Sequence, residues 1–177
     1  MKIALNKQKN WLSVQFPPRG RVLITFESVL SSLHPRERWR SVGKTHYLKF
    51  PTHEFIFPRR IEDNHFYINE QFQVYFLLRN DQGKLFEPPM FHHYDQGKIC
   101  LGHVNSIGPI QEIITDFIRR FWETSSAAYP EGSSYKQIMK WKEAANSDFS
   151  HFIPFYDGFG EFEPTTWEEI RKSWKCK

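Results

Sequence analysis

The stretch PPMFHHYDQGKICLGH, residues 88–103, decides the predicted fold, because the chain changes its pattern on either side of it. It contains one of the two cysteines, Cys100, and three of the eight histidines. Pro88 and Pro89 cannot lie together inside a helix or a central strand, so an irregular segment is predicted to begin there. Residues 95–97, Asp-Gln-Gly, are typical of a turn in which the glycine takes a positive φ. Cys100 is therefore predicted in a connecting segment, where catalytic residues concentrate.

The half of the chain before this stretch has the pattern of β-strands. Short segments rich in β-branched and aromatic residues, separated by prolines or polar residues, favour an antiparallel meander of about four strands over parallel units. These segments are residues 47–50, 54–57, 66–68 and 73–79. Residues 22–26 fit a strand, but the apolar run that continues to residue 33 also fits a helix, and the pattern leaves both open. Residues 1–20 are predicted to form a polar arm closed by a turn.

The half after Cys100 has a helical pattern. Pro109 suits the first turn of a helix, and apolar residues then recur on one stripe, which predicts a long helix over about 109–123 that covers a face of the meander. The stripe consists of Ile110, Ile113, Ile114, Phe117, Ile118 and Phe121. A shorter helix is predicted over 135–145 and a packed aromatic loop over 149–162. Thr166 and Glu169 fit the capping box of a last helix. The fold class is therefore α+β.

Length and composition limit the class of protein. A chain of 177 residues is predicted to form a single domain over residues 1–177. Two cysteines do not form a disulfide framework, and no segment resembles a secretory signal or approaches the ~20 apolar residues of a membrane span, so a cytoplasmic location is predicted. The net charge of +4 suits an acidic protein surface or a nucleic acid, but clustered charges are more often a solvated face, so nucleic-acid binding is not predicted.

The segment 95–102, DQGKICLG, resembles ubiquitin-conjugating enzymes, in which a Gly-x-Ile-Cys-Leu step carries the thioester cysteine. It is more similar to a bacterial branch, the prokaryotic ubiquitin-conjugating-enzyme-like family D, which includes PRTRC system protein B. In that branch a Pro-aromatic-x-Asn segment precedes a Gly-x-Val/Ile-Cys-Leu-Gly step, and an aromatic-rich helix follows. The resemblance covers about residues 45–130. It implies a ubiquitin-conjugating-like core over about 20–130, followed by an aromatic and helical extension over 131–177.

The resemblance also implies an activity and its partners. Cys100 would receive a ubiquitin-like protein as a thioester from a ThiF-type activating enzyme and pass it to an amine of an acceptor protein. Neither a cofactor nor a metal is predicted. A thioester is already activated, so the enzyme must mainly present a thiolate and stabilise the tetrahedral oxyanion.

The candidate catalytic residues are Cys100, His92, His93 and Asp95. His92 stands where the family places an asparagine, and the family's His-Pro-Asn triplet is absent. A histidine can donate an N–H to the oxyanion or accept a proton from the nucleophile, and the sequence leaves both roles open. His93, when protonated, would lower the pKa of the thiol, as would Lys98. Asp95 would orient the incoming amine, or it would only cap the turn.

Three other interpretations are compatible with the same residues. Cys100 and His103, with His92 or His93, are potential zinc ligands, although the usual paired spacing is missing. A noncatalytic adaptor with a ubiquitin-conjugating-like fold would bind partners without using the cysteine. A cysteine hydrolase would use Cys100 with His92, but no residue that would orient the base is evident. Cys176 is predicted to be a bystander, because a chain end is rarely held rigidly.

Overall fold

The computed structural model is a mixed α+β protein. It describes residues 1–25, 44–69, 71, 73–88, 93–94, 97–99, 105–124, 127–128, 152–156 and 158–177. Within these residues the chain forms three sheets, almost entirely antiparallel, and two helices. The α+β class predicted from the sequence is therefore confirmed.

Nine strands form the largest sheet. They are β1 (Lys2–Asn6), β2 (Trp11–Phe16), β5 (His53–Pro58), β8 (Tyr75–Arg79), β9 (Leu85–Glu87), β10 (His93–Tyr94), β11 (Lys98–Ile99), β14 (Ile153–Phe155) and β15 (Phe162–Pro164). Seven of them follow the spatial order β10-β11-β8-β5-β2-β1-β15, while β9 pairs with both β8 and β14. The sheet thus joins strands from both ends of the chain.

Two smaller sheets complete the β structure of the described residues. The first contains β3 (Arg19–Thr25), β4 (Lys44–Phe50) and β13 (Ala127–Ala128), and β3 lies in the middle. The second contains β6 (Ile61–Glu62), β7 (His65–Ile68) and β12 (Ser106–Gly108), and β7 lies in the middle. Of the two alternatives for residues 22–26, the structure has the strand over 22–25.

The predicted four-strand meander is not confirmed. Each of the four segments contains a strand, but β4 pairs with β3, β7 pairs with β6 and β12, and only β5 and β8 pair with each other. A period-two pattern identifies a strand without identifying its partner. In this chain the partner on the other side of β5 is β2, which lies in the segment that the sequence analysis assigned to a polar arm.

The prediction of an arm over residues 1–20 is wrong. β1 and β2 form a hairpin in which Leu12 and Val14 are completely buried. The turn between them depends on Asn6, whose side-chain oxygen accepts hydrogen bonds from the N–H groups of Asn10 at 2.8 Å and Trp11 at 2.9 Å. Its amide nitrogen donates to the carbonyl of Phe159 at 2.7 Å, which ties the hairpin to the other end of the chain.

Helix α1 (Ile110–Thr124) lies where the sequence predicts it, but its 15 residues are close to the ordinary length of a globular helix, so a long helix is not confirmed. The apolar stripe packs on one face of the large sheet. The ring centroid of Phe117 lies 5.5 Å from that of Phe57, and the ring of Phe121 lies 5.0 Å from Phe55 and 4.7 Å from Phe76. Edge-to-face and tilted ring contacts at these distances are favourable, so the helix is a core element.

Helix α2 (Trp167–Trp174) begins with the predicted capping box. The hydroxyl of Thr166 accepts from the N–H of Glu169, and the Glu169 carboxylate accepts from the N–H of Thr166 at 2.8 Å. At the other end Trp174 is completely buried. The loop predicted over 149–162 is partly strand, because β14 lies within it. The helix predicted over 135–145 lies outside the described residues.

Candidate functional site

Most residues that the sequence analysis selects lie outside the part of the chain that the structure describes. This applies to Cys100, His92, Asp95 and His103, while His93 is described as backbone in β10. The structure therefore describes only the segments that flank these residues. They are β10, Gly97 and β11, which ends one residue before Cys100.

The pairing of β10 with β11 brings together the residues that are adjacent in sequence to His92 and to Cys100. His93 is the antiparallel partner of Ile99, and Tyr94 is the partner of Lys98. The residue directly after His92 and the residue directly before Cys100 are thus a cross-strand pair, whose Cα atoms are typically about 4.5–5.5 Å apart.

This hairpin is attached to the large sheet through β8. Lys98 is the cross-strand partner of Tyr75, and the N–H of Ile99 donates to the carbonyl of Val74 at 2.7 Å. The N–H of Phe76 donates to the carbonyl of Gly97 at 2.9 Å. Ile99 is itself buried, so the backbone immediately before Cys100 is fixed by both hydrogen bonds and packing.

Gly97 has the positive φ that the sequence predicts for the turn, with a value of 72°. A Cβ at this position would lie 2.6 Å from Cδ2 of Leu77, well inside van der Waals contact. Both the backbone conformation and the close approach to β8 therefore require glycine.

The substitution Gly97→Ala should lower the free energy of unfolding by about 1–3 kcal/mol. The left-handed conformation costs an L-residue about 1–2 kcal/mol, and the contact with Leu77 adds to it. Gly158→Ala is the matched control, because a Cβ there meets nothing within 4 Å and should change stability by less than about 0.5 kcal/mol. Urea denaturation of the three proteins measures the difference. Equal stabilities for both variants would contradict the positive φ of Gly97 and its close approach to Leu77.

Tyr75 is the ionisable neighbour of Lys98 on β8. Its hydroxyl donates to the side-chain oxygen of Gln73 at 3.3 Å, and partial burial raises the pKa of the phenol above its ordinary value. The group therefore stays protonated at neutral pH. Next to β11 it is a hydrogen-bond donor rather than a base.

Cys176 is predicted to be a bystander because a chain end is rarely held rigidly, and this reason is wrong. The chain end is held in place, because the N–H of Cys176 donates to the carbonyl of Arg171 at 3.1 Å. The thiol is buried, and this burial raises its pKa more than the nearby charges of Arg171 and Arg59 lower it. A buried thiol with a raised pKa is inert at neutral pH.

Within the described residues no group of three or more His, Cys, Asp or Glu side chains is arranged to hold a metal ion. The ligands of the possible zinc site, Cys100, His103 and His92, are not among them, so that alternative stays open. The two helices in the described part of the chain also lack the length and apolar composition of a membrane span.

A second polar site, which the sequence analysis did not select, lies on the opposite face of the sheet from α1. Glu54 of β5 is buried, with 1% of its side chain exposed, and it accepts hydrogen bonds from two strands. The hydroxyl of Ser13 donates to Oε2 at 2.6 Å, and Nη2 of Arg79 donates to Oε1. One signal was available, because Glu54 is a charged residue next to the apolar run 55–57 of the same strand. Its partners, however, are 41 and 25 residues away in the sequence.

These three residues line a cleft of about 780 Å³. Its polar wall also contains Lys2 and Gln15, and its apolar wall contains Ala4, Phe162 and Pro164. The volume lies within the range of small-molecule sites, about 300–1,000 Å³.

Comparisons of the chain with protein-family models, with curated proteins and with solved structures find no match. The resemblance to ubiquitin-conjugating enzymes therefore depends on the residues of this sequence that carry it.

Proposed function

We propose that the chain is a bacterial ubiquitin-conjugating-like enzyme that carries a ubiquitin-like protein as a thioester on Cys100. Cys100 would receive the ubiquitin-like protein from a ThiF-type activating enzyme and pass it to an amine of an acceptor protein. The observation that carries the proposal is the GKICLG step at residues 97–102. It begins with Gly97, which has a positive φ, and it precedes the amphipathic helix α1.

The chemistry consists of two acyl transfers. In the first, the Cys100 thiolate attacks the thioester carbonyl of the ubiquitin-like protein, and the thiolate of the activating enzyme leaves. In the second, an acceptor amine attacks the Cys100 thioester, the Cys100 thiolate leaves, and the amine loses a proton to a base. Each transfer passes through an oxyanion that needs a hydrogen-bond donor.

The proposed roles follow the order of the motif. His92 donates an N–H to the oxyanion, and Asp95 orients the attacking amine. His93, when protonated, and Lys98 favour the thiolate form of Cys100 because a nearby cation lowers a thiol pKa. Support comes from the pairing of His93 with Ile99, since these residues directly follow His92 and directly precede Cys100.

The sheet and helix support the proposal of a ubiquitin-conjugating-like core. The strands β1, β2, β5 and β8 are antiparallel neighbours in chain order, and the helix that follows the cysteine motif packs on one face of their sheet. The strand pairs β3–β4 and β6–β7 are inserted between members of this series. The proposed core therefore includes β1 and β2 in addition to the region over 20–130.

The test is thioester formation on a nonreducing gel. The protein is incubated with ATP, a ubiquitin-like protein and a ThiF-type activating enzyme, taking as the first choice those encoded beside its gene. We expect a dithiothreitol-sensitive band that is lost in Cys100→Ala and retained in Cys176→Ala. A band that survives Cys100→Ala but is lost in Cys176→Ala would contradict the assignment.

Alkylation of the native protein provides a second measurement that needs no partner. The chain has two cysteines, and burial raises the pKa of Cys176, so rapid labelling by iodoacetamide should occur at Cys100. An accessible Cys100 without thioester formation would favour the noncatalytic adaptor. Stoichiometric zinc that is lost in Cys100→Ser together with thermal stability would favour the metal site.

A further inference from the structure

We propose that the cleft beside Glu54 binds a small organic anion that carries a carboxylate or phosphate group. Arg79 anchors the anionic group, Lys2 supplies a second positive charge, and Glu54 positions Arg79. This site is formed entirely by described residues and is independent of Cys100.

The burial of Glu54 is the first observation. Removing a carboxylate from water costs several kcal/mol even after relaxation, and a pair of apolar side chains at such a place is often at least as stable as the ion pair. The side chain is nevertheless 1% exposed, and Ser13 and Arg79 satisfy both of its oxygens. An ion pair held in this way contributes more to the placement of the arginine than to stability.

The placement of Arg79 is the second observation. Its Nη2 donates to Glu54, and its Nη1 donates to the carbonyl of Gly83 at 2.8 Å, so the guanidinium is held at two points. About a quarter of the side chain, 26%, remains exposed, and Arg79 lines the cleft. Each Nη has a second N–H, and this fork matches the two oxygens of a carboxylate or phosphate.

The charge balance of the cleft selects an anion. The charges of Arg79 and Glu54 cancel, and Glu161 at the rim is paired with Lys7. Lys2 forms no ion pair within the described part of the chain. The charge of Lys2 is therefore not neutralised by an ion pair with a described residue, and a bound anion would neutralise it.

The strand register fixes the position of Lys2 relative to Glu54, the partner of Arg79. Lys2, Gln15 and Glu54 are cross-strand partners on β1, β2 and β5, so they lie in one row on the same face of the sheet. Neighbouring strands are about 4.8 Å apart, which places the backbone of Lys2 about 10 Å from that of Glu54. The wall formed by Ala4, Phe162 and Pro164 provides apolar surface for the body of the ligand. A ligand with an apolar body and an anionic head fits both the apolar wall and the positive charges of the cleft.

The experiment is a titration of the full chain, followed by amide chemical shifts and by the Arg79 Nε–Hε signal. The probes are benzoate, phenyl phosphate and, as a cation of similar size, benzylamine. We expect binding of the two anions at about millimolar concentration or tighter, with the largest shifts at Ser13, Gln15 and Arg79. The stronger of the two anions identifies the head group.

Variants separate the contributions of the two cations. Arg79→Lys should weaken anion binding by about tenfold or more, because a lysine cannot form the two-point contact. Lys2→Gln, at an exposed position, should weaken it by about two- to fivefold. Lys49→Gln, on an exposed position of β4, should leave it unchanged. Glu54→Gln should lower the order parameter of the Arg79 side chain toward that of a flexible group, below about 0.6.

Several results would overturn the proposal. One is that benzylamine binds as tightly as the anions do. Another is that no anion causes a shift up to about 20 mM, well above the expected millimolar range. The third is that the anion affinities are unchanged in Lys2→Gln and in any Arg79→Lys protein that folds. Lys2→Gln keeps the test valid if Arg79→Lys fails to fold. None of these results depends on whether Cys100 forms a thioester.

Discussion

Trp174→Ala is expected to lower the free energy of unfolding by about 3–5 kcal/mol, which is the usual cost of removing a fully buried aromatic side chain. Trp174 is 0% exposed and stacks on Phe66 at a centroid distance of 5.9 Å. Its indole N–H also donates to the carbonyl of Lys9 at 2.8 Å. The side chain thus joins α2 to the β1–β2 turn and to β7, and its loss leaves a cavity and an unsatisfied carbonyl.

Thermal unfolding measures this effect, because about 3–5 kcal/mol corresponds to a fall of about 6–20 °C in Tm for a chain of this size. Trp174→Phe keeps most of the apolar contact and should lose only the hydrogen bond, about 0.5–1.5 kcal/mol. Lys172→Ala on the same helix removes an exposed ion pair with Glu168 and should cost less than about 1 kcal/mol. A loss below about 1 kcal/mol for Trp174→Ala would mean that α2 is peripheral to the core.

The elements that the sequence predicts well are those determined by neighbouring residues. The capping box of Thr166 and Glu169 spans four residues, and the stripe of α1 is a pattern within one helix. The positive φ of Gly97 also follows from local turn chemistry. In each case the physical cause lies within the segment itself, so the sequence is sufficient to predict it.

The elements that the sequence predicts badly depend on distant partners. The hairpin of β1 and β2 contains many polar residues, and it is a central part of the sheet only because β5 and β15 flank it. Asn6 stabilises its turn and also binds the carbonyl of Phe159, 153 residues away. Contacts of this kind cannot be inferred from periodicity.

The same distinction applies to the two candidate sites. The cysteine motif is a short contiguous segment, so the sequence analysis could select it. The cleft beside Glu54 combines residues from β1, β2, β5, β8 and β15 with the segment before β15, so no contiguous stretch of sequence contains it. A charged residue next to a short apolar run was the one available signal, and only the structure identifies its partners Ser13 and Arg79.

His92→Ala is expected to slow the discharge of the Cys100 thioester to an amine by about 10²–10³-fold while loading at Cys100 continues. This is the usual effect of removing one donor to an oxyanion. Loading is less sensitive because the activating enzyme can supply its own donors to the first oxyanion. The measurement is single-turnover discharge of the preformed thioester, followed on nonreducing gels.

His92→Asn separates the two roles that a histidine can have here. An amide can donate a hydrogen bond, so the variant should recover part of the rate if His92 stabilises the oxyanion. If His92 is instead a general base, His92→Asn is as slow as His92→Ala. The wild-type rate would then also rise with pH through the imidazole pKa, near 6.5 when unperturbed. Equal discharge rates for the wild type and both variants would show that His92 takes no part in the transfer.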